Sequence, residues 1–163
     1  MRFIVDQTLG GLAKWLRLCG FDTIQKLIRL HDPTSLPAPD ANTWILTRQT
    51  RLADRYPRQD ILVVSADDPE VQLAEVMARF NLAATDFKLL NRCSRCNQPL
   101  VAVSKQEVRG RVPEYVYQHQ HQFYECPACH QVFWVGSHVA AICRRLQALS
   151  PQRPGRESSE SPE

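Results

Sequence analysis

Cys93 and Cys96 form one Cys-x2-Cys pair, Cys126 and Cys129 form a second, and 29 residues separate the two. Paired thiolates on tight turns can bind one ion together, and four sulfurs match the tetrahedral preference of Zn2+. Four protein ligands leave no coordination position open. The spacing therefore predicts a structural zinc whose binding free energy holds together a module too small to have its own core. Iron or a redox-active pair would use the same sulfurs. His130 follows Cys129 directly and could take a ligand position or hydrogen-bond to a sulfur, or simply face solvent. Cys19 and Cys143 lie on apolar helical faces and read as small buried hydrophobes.

A second set of polar residues follows short apolar runs. Asp6 ends Phe3–Val5, Arg48 follows Trp44–Thr47, and Asp67 comes shortly after Ile61–Val64. If those runs are parallel strands, all three residues fall outside the strands' carboxyl ends, where such sheets bind ligands. Each carboxylate also has a purely local use. Asp6 could cap the helix that follows it, and Asp67 or Asp68 the helix beginning near Pro69, each worth about 1 kcal/mol.

The elements that must hold these groups can be read from periodicity. Leu9, Leu12, Ala13, Leu16 and Cys19 follow helical spacing, with Thr8 as the expected cap and Gly20 as the expected stop. Arg48–Arg55 separates two apolar runs, and Pro69–Phe80 predicts a second helix. Strand and helix in alternation imply an α/β module with a parallel sheet. The segment from Leu30 to Ala41 carries three prolines and is expected to be loop. Between and after the cysteine pairs, Pro99–Val103, Tyr115–Tyr117, Gln122–Tyr124 and Val132–Val135 read as short β-type runs, the signature of a zinc ribbon. His119 and His121 would then alternate along an exposed strand, and His138 would open the last helix, within possible reach of a phosphate.

Composition bounds the reading. The chain has 163 residues, 44% hydrophobic and 23% charged, with a formal net charge of +3. That suits one domain of about 100–150 residues with a small appendage and disfavours fibrous, wholly disordered or membrane-spanning classes. Asp6, Lys14 and Arg17 interrupt the first twenty residues, so no secretory signal is expected. No run approaches the roughly 20 apolar residues of a membrane span, and reduced cysteines in a cytoplasmic protein are expected. Charge is uneven: residues 1–90 balance eleven basic against eleven acidic side chains, whereas 91–149 hold seven against three. The predicted organisation is an α/β domain over 1–90, a zinc ribbon with terminal helix over 91–149, and a disordered tail over 150–163, where no large apolar residue offsets ordering entropy.

Taken together, Phe3-Ile-Val-Asp6, Leu9-Gly-Gly-Leu-Ala-Lys-Trp-Leu-Arg17, Gly20-Phe-Asp22-Thr23, Ile45-Leu-Thr-Arg48, Arg92-Cys-Ser-Arg-Cys-Asn97, Glu125-Cys-Pro-Ala-Cys129 and Val132-Phe-Trp-Val-Gly-Ser-His138 resemble the Mut-seven C-terminal RNase family. The match spans nearly residues 1–142. The resemblance implies a PIN-like α/β nuclease domain fused to a zinc ribbon, with acidic residues that bind catalytic Mg2+ or Mn2+ and hydrolyse RNA. Such cations activate water and stabilise charge developing on phosphate. Asp6 corresponds to the family's first acidic residue, and Asp67, with Asp68 as alternate, to its last. Between them only Asp32 or Asp40 could supply the acid after the second strand, and Gln49 stands where the family places Asp. Lys14, Arg17 and Arg48 are the expected nucleic-acid contacts on the α/β module. On the ribbon, Arg92, Arg95, Lys105, Arg109 and Arg111 interleave with Tyr115, Tyr117, Phe123 and Tyr124, a pattern suited to phosphate contact and base stacking. The expected partner is RNA. Gln49 also motivates two alternatives: a catalytically decayed RNA-binding module, or a protein-interaction adaptor. No oligomeric state follows from the sequence.

Overall fold

The structure is a computed structural model that describes residues 1–149; the stretch 150–163, expected to be disordered, lies outside the described residues. Its first module is built on four parallel strands. β1 (Arg2–Asp6), β2 (Asp22–Lys26), β3 (Thr43–Thr47) and β4 (Ile61–Val63) lie in the order β2-β1-β3-β4. Alternate residues of the central strands feed opposite faces, as a period of two requires. Phe3, Val5 and Leu46 pack under α1 (Gly10–Leu18) and α3 (Pro69–Phe80), while Ile45 packs with Ile28, Leu36 and Leu52 of α2 (Thr50–Arg55) on the other face. Edge-to-face rings tie the first face together: Phe3 to Phe21 at 5.5 Å and Trp44 to Phe80 at 4.7 Å.

The second module is an antiparallel sheet of β5 (Val101–Val103), β6 (Phe123–Glu125) and β7 (Val132–Trp134), with α4 (Glu114–His119) between the first two strands. The last helix, α5 (Ser137–Leu149), follows the ribbon in sequence but packs with the first module: Ile142 and Leu146 join the core that contains Leu12, Leu16 and Leu73, and Arg145 pairs with Glu70 at 2.9 Å. The expected parallel α/β module and ribbon-type module both form.

One strand is not legible in the sequence, and some local expectations do not hold. Asp22–Lys26 is a strand whose alternation is masked because it is an edge with polar, partly exposed positions. Tyr115–Tyr117 lies in a helix rather than a strand, since Pro113 and Glu114 supply a helical start, and His119 closes that helix. Thr8 does not cap α1; it sits in a 3-10 turn over Gln7–Leu9, and the helix starts without a side-chain cap. The stop at Gly20 holds. Its φ of +93° allows Phe21 N–H to reach Leu16 C=O at 3.0 Å and Gly20 N–H to reach Arg17 C=O at 2.9 Å. A Cβ there would stand 2.5 Å from the Lys88 carbonyl oxygen, so the same glycine admits the segment leading into the ribbon.

Candidate functional site

The strand order reverses direction between β1 and β3, which makes their carboxyl ends the crevice where an open α/β sheet binds ligands. Asp6 ends β1 there and is only 1% exposed. It makes no helix-capping hydrogen bond, so the local use considered above does not account for it. Its Oδ2 accepts instead from Thr47 Oγ1 at 3.1 Å and from Gln49 Nε2 at 2.8 Å. Gln49 Nε2 also donates to Ile28 C=O at 2.9 Å, and Thr47 Oγ1 accepts from Gln49 N–H at 3.1 Å. Two acceptor-only partners determine which end of the amide faces Asp6. Both of these bonds to Asp6 thus fall on Oδ2, one from a hydroxyl and one from the amide.

The other carboxylates are engaged elsewhere. Asp67 is an exposed side chain hydrogen-bonded to Arg48, so two of the strand-end candidates pair with each other. Asp68 caps α3, accepting from Glu70 N–H at 2.8 Å and Val71 N–H at 3.1 Å. Asp32 accepts from the Thr34 hydroxyl and, at 3.0 Å, from Thr34 N–H; the hydroxyl bond is the main cause that lowers its pKa. Asp40 accepts from Asn42 N–H and Thr43 Oγ1, again with a lowered pKa, chiefly from the Asn42 bond. Thr43 starts β3 and pairs beside Arg2 at the amino edge of the sheet. Asp40 thus lies by the end of the sheet opposite Asp6, about four residue steps or about 13 Å along the strand. Among the described residues, no three carboxylates gather at the strand ends. With one oxygen of Asp6 held by an amide and no group of three acidic, histidine or cysteine ligands at the strand ends among the described residues, these residues do not fit a resident Mg2+ or Mn2+.

The four cysteines do gather. Their sulfurs all lie within 4.8 Å of one another, Cys93 and Cys129 at 3.8 Å, and none forms a disulfide. Zn–S bonds of about 2.3 Å place tetrahedral sulfurs about 3.8 Å apart, so the cluster fits zinc. The two turns are built alike. Cys93 N–H reaches Gln98 C=O and Asn97 N–H reaches Cys93 C=O; Cys126 N–H reaches Gln131 C=O and His130 N–H reaches Cys126 C=O. Asn97 and His130 occupy the matching left-handed positions, at φ 65° and 57°. His130 serves as that turn residue, and its exposed ring meets Glu125 at 3.0 Å rather than a sulfur. The Arg111 guanidinium, at 2.9 Å, and His130 hold the Glu125 carboxyl down to about 2.

Not every expected nucleic-acid contact is open to a ligand. The Arg17 guanidinium donates to the carbonyls of Thr23 at 2.9 Å, Arg95 at 3.0 Å and Ser94 at 3.4 Å, and lies in the field of Cys93 and Cys96. It ties α1 and β2 to the first cysteine turn. Asn97, which the sequence reading did not single out, completes the tie: its Nδ2 donates to Asp22 at 2.6 Å and its Oδ1 accepts from Thr23 N–H at 2.9 Å. Arg92 and Arg111 are likewise bonded within the protein, and Phe123 is core. Lys14, Arg95, Arg109 and Tyr115 remain exposed.

No helix among the described residues is long and apolar enough to cross a membrane. Searches of curated proteins and of solved structures find no match. A family model, the Mut7-C RNAse domain, matches residues 1–146. With strand-end Asp6, the ribbon and both cysteine turns inside that span, the chain belongs to the Mut7-C RNAse domain family.

Proposed function

We propose that this protein binds single-stranded RNA as a Mut7-C domain stabilised by a structural zinc, and that its strand-end crevice holds RNA without hydrolysing it. The observation that carries the reading is the Gln49 amide on Asp6 Oδ2. Phosphodiester hydrolysis of this class depends on carboxylates that concentrate divalent cations. Here the amide N–H supplies to Asp6 the partner that a cation would otherwise supply. Family membership supports RNA as the ligand. Hydrolysis by Mg2+ or Mn2+ at Asp6 and Asp67 is the second reading, favoured by the same membership and by the position of Asp6 at the strand-order reversal. It requires a cation to reach Asp6 through Oδ1, beside the oxygen that the amide holds.

Binding is tested by fluorescence anisotropy of a labelled, unstructured single-stranded RNA with the full zinc-loaded chain over a series of salt concentrations. The expected log–log slope is about −0.7 for each phosphate neutralised. Absence of salt-sensitive binding would leave the adaptor alternative.

A further inference from the structure

A groove of about 510 Å3 opens where α1, α4, β7 and the start of α5 meet. It is separate from the Asp6 crevice, and none of its lining side chains is acidic. Lys14 reaches it from α1 and makes no ion pair or side-chain hydrogen bond among the described residues. Tyr115 reaches it from α4 and is 71% exposed, an unusual position for a large ring. Its ring is stacked on His119 with centroids 4.2 Å apart and planes 28° from parallel, so one face is backed and the ring is held as a platform. Trp134 also lines the groove. A Cβ on Gly136 would stand 3.0 Å from the indole Nε1, so the absence of a side chain there lets the indole lie against the backbone. Gln120 and Gln131 add amides that can both donate and accept.

A cation, aromatic surfaces and bifunctional amides around one space are complementary to a ligand that is anionic, flat and edged with donors and acceptors. An apolar side chain would leave Lys14 and the amides unmatched. A nucleotide satisfies all three, and the volume lies within the range of single-ligand pockets. We propose that this groove is a nucleotide subsite for single-stranded RNA, with a base on Tyr115 and Trp134 and its phosphate at Lys14. The proposal rests on the RNA-binding reading and adds where the strand lies. Duplex RNA keeps its bases stacked and should not enter.

The test uses the full zinc-loaded chain with a labelled single-stranded RNA and, separately, an RNA hairpin of equal length, read by anisotropy and by Trp fluorescence. Tyr115→Ala should weaken single-strand binding at least about 5-fold, as lost base stacking does, with unchanged zinc content. Lys14→Gln should reduce the magnitude of the salt slope by about 0.7. Gly136→Ala, which displaces the indole without removing it, should also weaken binding, and the hairpin should bind more weakly than the single strand. Single-strand binding within twofold of wild type for Tyr115→Ala and Lys14→Gln would overturn the groove and leave the functional reading standing. No salt-sensitive binding by the wild type would overturn that reading and the groove with it.

Discussion

A carboxylate at 1% exposure needs partners that offset its desolvation, and Asp6 finds two in Thr47 and Gln49. Replacing that amide by a carboxylate tests the arrangement directly. In Gln49→Asp, two like charges face each other at the strand ends, and either a shared proton or a bound cation relieves their repulsion. Without metal the variant should melt below wild type. Mn2+ at about 100 times its dissociation constant should then restore about 2.7 kcal/mol, while wild type shows no such dependence; thermal denaturation with and without Mn2+ measures both. Asp6 was legible in sequence because it ends an apolar run. The position of Asp40 was not, because the three-proline loop returns it to the start of β3, the wrong edge for chemistry.

Asn97 illustrates what periodicity cannot show at the scale of elements. Its left-handed place in the turn and its side-chain bonds to Asp22 and the Thr23 backbone, which hold the ribbon to edge strand β2, leave no periodic signal. Asn97→Gly keeps the left-handed conformation while deleting both bonds. It should cost about 1–3 kcal/mol in urea denaturation and raise amide exchange across Asp22–Lys26, with zinc still bound. The β2 strand itself escaped detection because its polar positions hide the alternation, whereas Phe3–Val5, Trp44–Thr47 and Pro69–Phe80 were legible because burial fixes their periods. The α4 helix escaped because Tyr-Val-Tyr carries strong strand propensity, and the Pro113–Glu114 start overrode it.

Across the whole molecule, the ties from Arg17 and Asn97 join a module with a large core to one whose buried residues include little beyond Val108, Phe123, Cys93 and Cys126, and whose four-cysteine cluster fits zinc. Chelation of zinc should therefore abolish amide protection in the ribbon strands while the sheet under α1 and α3 keeps its own, as read by hydrogen exchange. The cysteine spacing made the metal site legible from sequence alone. The groove was not legible, because Lys14, Tyr115 and Trp134 come from three separate elements. Whether RNA is held without being cut is tested by incubating zinc-loaded protein with labelled single-stranded RNA and Mn2+. Wild type should shift the RNA in a binding assay yet cleave it no faster than Asp6→Asn does; wild-type cleavage that Asp6→Asn abolishes would show that the crevice is a nuclease site.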